Sequence, residues 1–224
     1  MFLEKGRPET LPRRKKWLGV SAVLVGLTWG LVFCGAGAID LRAQTSTELA
    51  LGSRQMIGEV APPWNSRGWV NSPPLDVAQL RGKVILLRFF HDSPTGAASL
   101  SELYRQYREQ GLVVVGLYAP QPMPTQIDLD YLQRLATALR FEFPVGLDSG
   151  WETMNRYWLT RPDADMAAAT FLIDRQGVIR YIQPDGQYDK RSPNRTWRKE
   201  HEKLEEQVQS LLKEEEKAPE PPGG

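Results

Sequence analysis

Cysteine is almost absent from this chain. Its 224 residues include one, Cys34, and none of the positions from 35 to 224 carries a thiol. A single cysteine excludes a disulfide bond within the chain. Because thiol-disulfide exchange needs a thiolate as the attacking group, the sequence also excludes dithiol chemistry in everything that follows Cys34.

Histidine and net charge are scarce as well. The two histidines, His91 and His201, have no cysteine or second histidine at ligand spacing, so we predict no metal site. The net charge is +1, and no basic patch is interleaved with aromatic residues, which argues against nucleic-acid binding. The sequence indicates no cofactor. Its length suits one domain with extensions.

An apolar run near the amino end is typical of a membrane anchor. It extends from Trp17 to Ile39 without a charged residue, and about 23 residues at roughly 1.5 Å each can span a bilayer core of about 30 Å. Four consecutive basic residues, 13–16, precede the run. This basic cluster predicts that residues 1–16 stay in the cytoplasm and that everything after the single membrane span lies outside it.

A cleaved signal peptide is the alternative to this anchor. Ala36-Gly37-Ala38 has the small-x-small form of a cleavage site, and cleavage there would release a secreted domain. Cys34 does not suit lipid attachment, because Phe33 stands where a small residue is needed. We interpret Cys34 as a small apolar side chain that faces lipid.

The rest of the chain predicts a tether over 40–57, an α/β domain over 58–212 and a charged, Pro/Gly-rich disordered tail over 213–224. Prolines and two tryptophans in 61–75 indicate an extended arm that docks against a sheet. The tryptophans, Trp64 and Trp69, could bind a partner, but we expect them to pin the arm to its own domain.

A buried strand, a helix and a second buried strand form the centre of the predicted domain. Residues 83–90 and 112–118 are apolar almost throughout, as in central strands covered on both faces. Between them, the apolar residues Leu100, Leu103, Tyr104 and Tyr107 recur at helical spacing, and Gly111 ends the helix. The spacing suits a parallel strand-helix-strand unit. The helix begins either with Ser93 as its cap, followed by Pro94, or with Ser99 as its cap and Glu102 closing a capping box.

The remaining elements are predicted from the same kinds of pattern. In chain order they are a helix over 128–140 with Leu129, Leu132, Leu135, Ala136 and Leu139 on one face, an apolar segment over 143–147, a helical turn or two over 151–158, a hairpin of strands 170–174 and 178–182, and a last helix over 195–215. The last helix has an apolar stripe that suits docking on the sheet or pairing with another helix. Docking is our expectation.

Six short stretches occur along the domain in an informative order. They are 58–62, 69–75, 80–84, 111–116, 155–158 and 170–177. Together with the order of elements they resemble the thioredoxin fold, and specifically the membrane-anchored TlpA-type and DipZ-like redoxin domains, which are related to the AhpC/TSA proteins. The resemblance implies a central mixed β-sheet flanked by helices, and oxidoreductase activity as the family's usual function.

The resemblance also locates the family's active-site loop, although the reacting groups are missing. The loop comprises His91, Asp92, Ser93, Pro94, Thr95, Gly96, Ala97 and Ala98. The family's Cys-x-x-Cys pair falls on Ser93 and Gly96 or, one residue further, on Pro94 and Ala97. Its cis-proline falls at about Ala168, where we expect a trans peptide because cis costs about 2.5–4 kcal/mol before a residue other than proline.

A comparison with peroxiredoxins leads to the same conclusion. Of the peroxiredoxin motif this chain has only the threonine, Thr95. The position of the peroxide-reactive cysteine falls on Ala98, and that of the motif proline falls on His91. A peroxidase of this kind needs the sulfur that is oxidised. The resemblance therefore implies a degenerate site with no catalytic residue.

Other roles for the loop are weaker hypotheses. His91 and Asp92 could form a general base and its orienting group, and Ser93 could be a nucleophile if a base lay beside it. The free N–H groups of the helix start could bind an anion. We predict instead a redox-inactive binding or assembly module outside the cytoplasm, with an unidentified protein partner. The alternative is a redoxin-class oxidoreductase or peroxidase-like enzyme that uses a non-cysteine or partner-supplied route.

Overall fold

The computed structural model describes residues 56–92, 94–121, 127–159, 169–183 and 186–214. Its elements in chain order are β1 (Trp69–Val70), a 3-10 turn (Val77–Leu80), β2 (Val84–Phe90), α1 (Ala97–Tyr107) with a 3-10 extension (Arg108–Gln110), β3 (Leu112–Tyr118), α2 (Leu129–Ala138), β4 (Val145–Leu147), α3 (Glu152–Met154) continued by a π-helical stretch (Asn155–Leu159), β5 (Thr170–Ile173), β6 (Ile179–Gln183) and α4 (Arg195–Lys213). The predicted membrane span lies outside these residues, and no described helix is both long and apolar enough to cross a membrane.

The six strands form one mixed sheet in the order β1-β4-β3-β2-β5-β6. β2 and β3 are parallel and pair along their whole length, from Val84 opposite Leu112 to Phe90 opposite Tyr118. β4 continues the parallel part, whereas β5 joins β2 antiparallel and β6 joins β5 antiparallel. The predicted parallel strand-helix-strand unit and the hairpin near the end of the domain are therefore confirmed.

Strand β2 is central because both of its faces are covered. Leu86 and Phe90 face a core that α1, α2 and α4 complete, and Ile85 and Leu87 face a second core beneath α3 and the arm. Every residue of the strand is buried. The alternation of side chains along a strand explains why a continuous apolar run is needed here, since each face must supply one of two cores.

The helices pack through the predicted apolar stripes, with one exception. Leu103 of α1 and Leu204 and Val208 of α4 are buried in the same core, so the last helix docks on the sheet as expected. On α2 the stripe is narrower than predicted. Leu132 is fully buried, but Leu129 at the start of the helix remains 44% exposed.

The tryptophan-containing arm is held by its own domain, as predicted. Trp64 is buried, and its indole N–H donates to the hydroxyl of Tyr157 over 3.0 Å. That hydroxyl in turn donates to the carbonyl of Pro62 over 2.7 Å. Trp69 packs against Trp64 and begins the edge strand β1. These contacts assign both tryptophans a structural role.

The folded domain is slightly longer at both ends than the predicted range of 58–212. Met56 is buried in the second core, so the domain includes the last residues of the predicted tether. At the other end α4 continues to Lys213, and the carboxylate of Glu214 accepts hydrogen bonds from Arg180. The remainder of the predicted tail lies outside the described residues.

Candidate functional site

The loop between β2 and α1 lies where the carboxyl ends of the parallel strands meet, a common position for ligand sites in α/β folds. Asp92 and Ala98 are exposed, whereas His91, Pro94, Thr95 and Ala97 are half-buried and Gly96 is buried. Ser93 and Ala168 lie outside the described residues. Ala169, next to the predicted cis-proline position, is buried, and its carbonyl accepts from the backbone N–H of Phe89 over 2.9 Å.

Helix α1 begins at Ala97, and its cap is Gly96 rather than either predicted serine. Gly96 has a φ of +75°, in the left-handed region, and no side chain caps this helix. A side chain built on Gly96 would collide with the backbone carbonyl oxygen of Tyr188. The helix thus starts at neither of the two predicted positions, and Ser99 lies inside its first turn. Glycine is required because a left-handed residue in close contact with another backbone segment has no room for a Cβ.

The segment that covers Gly96 is the 186–190 loop, which follows β6. Ser99, buried in the first turn of α1, donates to Asp189 Oδ1 over 3.1 Å and accepts from the backbone N–H of Lys190 over 3.0 Å. The Lys190 ammonium pairs with Glu102 of the same helix over 2.8 Å. Ser99 and Glu102, which predicted a capping box, instead hold the 186–190 loop against the helix start.

Arg88 fixes the other side of this loop from inside the domain. It lies on the central strand and is only 2% exposed. Its guanidinium donates to Thr170 Oγ1 over 2.9 Å and to the carbonyl of Gly186 over 3.0 Å, and it lies 5.1 Å from the ring centre of Tyr188. A buried guanidinium is retained only where its donors are satisfied, so Arg88 ties the 186–190 loop to β2 and β5.

A carboxylate and two phenols converge beside the loop. Asp92 Oδ1 accepts hydrogen bonds from the hydroxyl of Tyr118 and, over 2.8 Å, from that of Tyr131. Tyr118 ends β3 and is buried, and Tyr131 lies in the first turn of α2. Burial, followed by the bond to Asp92, raises the pKa of Tyr118, and the bond to Asp92 raises that of Tyr131. Both phenols therefore stay protonated at neutral pH.

A buried acid, Asp148, lies at the same edge of the sheet, after β4. Asp148 is 1% exposed, and its carboxylate accepts from the backbone N–H groups of Thr153 and Met154 over 3.2 and 2.8 Å. Burial raises its pKa, while these backbone bonds oppose the rise. Trp151, which lies between Asp148 and Thr153 in the chain, has a φ of +56°, and its indole N–H donates to the carbonyl of Pro120. Asp148 thus organises the turn into α3.

The hydrogen bonds of Asp92 bear on the acid-base role considered for the loop. Asp92 has tyrosines as partners, and within the described residues it forms no hydrogen bond with His91, so the proposed general base and orienter are not joined. The described residues include no group of three histidine, cysteine or acidic side chains that could hold a metal ion.

Sequence reasoning identified the loop but missed four of the residues around it: Arg88, Tyr118, Tyr131 and Tyr188. The sequence did contain a signal for Arg88, because a single arginine inside an apolar strand indicates a buried charge that is paired or hydrogen-bonded. The parallel register could have placed Tyr118 near the loop, because it pairs with Phe90. Nothing local connects Tyr131 or Tyr188 to this site.

The mixed sheet, the helices on both faces and the helix that starts after the central strand define a thioredoxin-like α/β fold. Comparison with known families leads to the same result. The model of the AhpC/TSA family matches residues 57–182, more than half of the chain, and the chain belongs to that family.

Three relatives illustrate the similarity. The protein DipZ of Mycobacterium tuberculosis is 30% identical over 134 residues, which are 54% of this chain and 18% of DipZ. A candidate thiol:disulfide interchange protein DsbE of Chlorobium tepidum is 19% identical, with a TM-score of 0.53 over 70% of this chain and 97% of that one. A thiol-disulfide isomerase of Corynebacterium glutamicum is 23% identical, with a TM-score of 0.52 over 69% and 97% of the two chains. The chain thus matches less than a fifth of DipZ, and the two structures show the fold alone.

Proposed function

We propose that this chain is a membrane-anchored AhpC/TSA-family protein whose thioredoxin-like domain has lost dithiol chemistry and serves as a binding or assembly module outside the cytoplasm. One observation carries the proposal: the sequence has no cysteine after Cys34. The family relatives named for thiol-disulfide interchange and isomerisation need a thiolate for that reaction, and this domain has no atom that can take its place.

The surroundings of the loop support a loss of chemistry rather than a replacement nucleophile. The phenols of Tyr118 and Tyr131 have raised pKa values, so neither is a ready phenolate at neutral pH. In one of the two registers considered for the missing cysteine pair, the second cysteine falls on Gly96, and there the backbone of Tyr188 occupies the space that a side chain would need. A helix start covered in this way offers little access to a thiol substrate.

The location follows from the amino-terminal residues. Basic residues 13–16 before the apolar run of 17–39 support an uncleaved anchor with the domain on the extracytoplasmic side. In that arrangement the domain stays close to the membrane surface, on a tether that starts at residue 40. A partner would therefore be a protein that reaches the same surface.

The test is redox silence of the full-length chain. Insulin reduction and hydroperoxide consumption should stay at background, with a cysteine-containing thioredoxin as the positive control. A Cys34→Ser variant is the matched control, because it removes the single thiol without touching the domain. Turnover that survives in Cys34→Ser would establish the alternative, an enzyme with a non-cysteine route. Turnover that disappears with Cys34 would assign the chemistry to the amino-terminal segment.

A further inference from the structure

Asp92 is an exposed carboxylate held in one orientation by two aromatic side chains. The hydroxyls of Tyr118 and Tyr131 both bond to the same oxygen, Oδ1. Tyr118 comes from the sheet and Tyr131 from α2, 39 residues away from Asp92 in the sequence. The two rings lie 6.2 Å apart, inclined by 48°. A side chain at the surface is rarely fixed from two separate elements, because ordering it costs conformational entropy.

In the part of the chain that the structure describes, no cation is paired with this carboxylate. Within the described residues no lysine, arginine or histidine lies in salt-bridge contact with Asp92, and none donates a hydrogen bond to its second oxygen, Oδ2. The phenols are neutral donors, so these contacts bring no positive charge to Asp92. Arg134 on α2 is close enough to act on Tyr131 electrostatically, but it does not contact the carboxylate.

We propose that Asp92, Tyr118 and Tyr131 form a docking point for an arginine or lysine side chain of a protein partner. The inference rests on the proposed binding function and names the chemistry that its partner must present. A carboxylate oxygen accepts from a guanidinium or ammonium group, and the hydroxyls of Tyr118 and Tyr131 hold the carboxylate in place for it. An anion is disfavoured, because it would meet the charge of Asp92.

The openness of the site points to a polypeptide rather than a small molecule. Asp92 is exposed and Tyr131 is only half-buried, so a ligand here stays largely in contact with water. Small-molecule sites are concave and bury most of their ligand, whereas a protein partner gains most of its affinity from surrounding contacts. The surrounding interface would thus supply most of the affinity, and the docking point would add a preference for partners that present a cation.

Fluorescence anisotropy on the full-length chain tests the assignment. The probes are a dye-labelled Gly/Ser peptide with two arginines and its twin with citrulline, which keeps the shape of arginine without the charge. The arginine peptide should bind about threefold to fivefold more tightly, a preference typical of one exposed ion pair. The preference should fall as salt is added.

Variants identify the residues responsible. Asp92→Asn keeps an acceptor for the phenols and should abolish the preference, and Arg134→Ala should increase it by removing a nearby positive charge that repels the arginine peptide. Glu202→Gln removes an exposed carboxylate from α4 and should change nothing. Equal binding of both peptides, an unchanged preference in Asp92→Asn, or an equal loss in Glu202→Gln would overturn the docking point.

Two further measurements separate the parts of the argument. Arginine amide, added unlabelled as a competitor, should displace the arginine peptide, because the docking point recognises the cation and the Gly/Ser residues add no contacts; failure to displace it would overturn the docking point. Insulin reduction measured on the same preparations tests the proposed function independently. Thiol turnover there would overturn the inert-module proposal, whereas a missing arginine preference without turnover would overturn the docking point alone.

Discussion

Replacing Gly96 should destabilise the domain more than replacing a left-handed glycine such as Gly58 or Gly82, where a new Cβ would meet open space. In Gly96→Ala the new Cβ costs about 1–2 kcal/mol because φ is +75°. Its collision with the Tyr188 carbonyl adds about 1–3 kcal/mol, as overpacking does in a rigid environment. The expected loss of unfolding free energy is therefore about 2–5 kcal/mol.

The collision cannot be relieved cheaply, because the 186–190 loop is held from several sides. Arg88 donates to the carbonyl of Gly186, and the side chain of Tyr188 is 1% exposed. Ser99 and Lys190 attach the loop to α1. A shift of Tyr188 would strain all of these contacts at once.

Gly82→Ala is the matched control for backbone strain. Gly82 has a φ of +83°, but a Cβ there would meet nothing within 4 Å. Gly82→Ala should lower the unfolding free energy only by the cost of backbone strain, about 1–2 kcal/mol. Urea unfolding followed by tryptophan fluorescence measures both variants. A loss in Gly96→Ala no larger than in Gly82→Ala would show that the loop does not pack against the helix start.

The same collision distinguishes the two possible registers of the missing cysteine pair. Ser93→Cys with Gly96→Cys should unfold more easily than the parent chain, whereas Pro94→Cys with Ala97→Cys should fold, since Ala97 is half-buried in the first turn of α1. The helix start should lower a thiol pKa there and permit a disulfide. We expect poor exchange with partner thiols even then, and improvement on adding Ala168→Pro. Full reductase activity from the Pro94/Ala97 pair alone would contradict a repurposed loop.

Three further predictions concern other parts of the chain. His201 is 2% exposed, and burial lowers its pKa, while the charge of Glu205 opposes this shift; Lys190, Glu102 and Asp189 also act on it. The stability of the domain should therefore be full above the unfolded pKa of about 6.5 and fall as the pH drops below it. His201→Leu should flatten this pH dependence in urea melts between about pH 7.5 and 5. Arg88→Met should lower the unfolding free energy by about 2–4 kcal/mol, because it leaves Thr170 Oγ1 and the Gly186 carbonyl without their donor; a loss under 1 kcal/mol would mean that the guanidinium does not anchor the loop. An alkaline phosphatase fusion after Gly224 should be active, and a cytoplasmic reporter at the same position silent; the reverse would overturn the orientation, and a mature amino terminus near residue 39 would overturn the anchor.

Much of the fold was accessible from the sequence, because it depends on patterns that neighbouring residues create. The apolar runs over 84–90 and 112–118 have no alternative to burial, and the helical spacing of Leu100, Leu103 and Tyr107 specifies a buried face. The hairpin around Gly177 is equally local. The helix start was misjudged, since Ser93 and Ser99 have side chains that can cap a helix, whereas Gly96 has none and was chosen by the close approach of Tyr188.

What replaced the serine cap was a contact between residues distant in the chain. Tyr188 lies about 90 positions after Gly96, and no local pattern brings the two together. The same is true of Tyr131, which lies on α2 and reaches Asp92 in the loop after β2. Such pairs form only when the packing of sheet and helices has positioned both ends, so their side chains carry no periodicity that could reveal them.

The sequence by itself determined that the domain lacks a thiol, that its centre is a parallel strand-helix-strand unit, and that the chain carries an apolar run long enough to span a membrane. These properties follow from which atoms are present and from how side chains repeat along one segment. The tertiary structure alone decided that the 186–190 loop covers the helix start and that Asp92 is fixed between two tyrosines. Both depend on long-range packing, which sets the distance between groups that the chain itself keeps far apart.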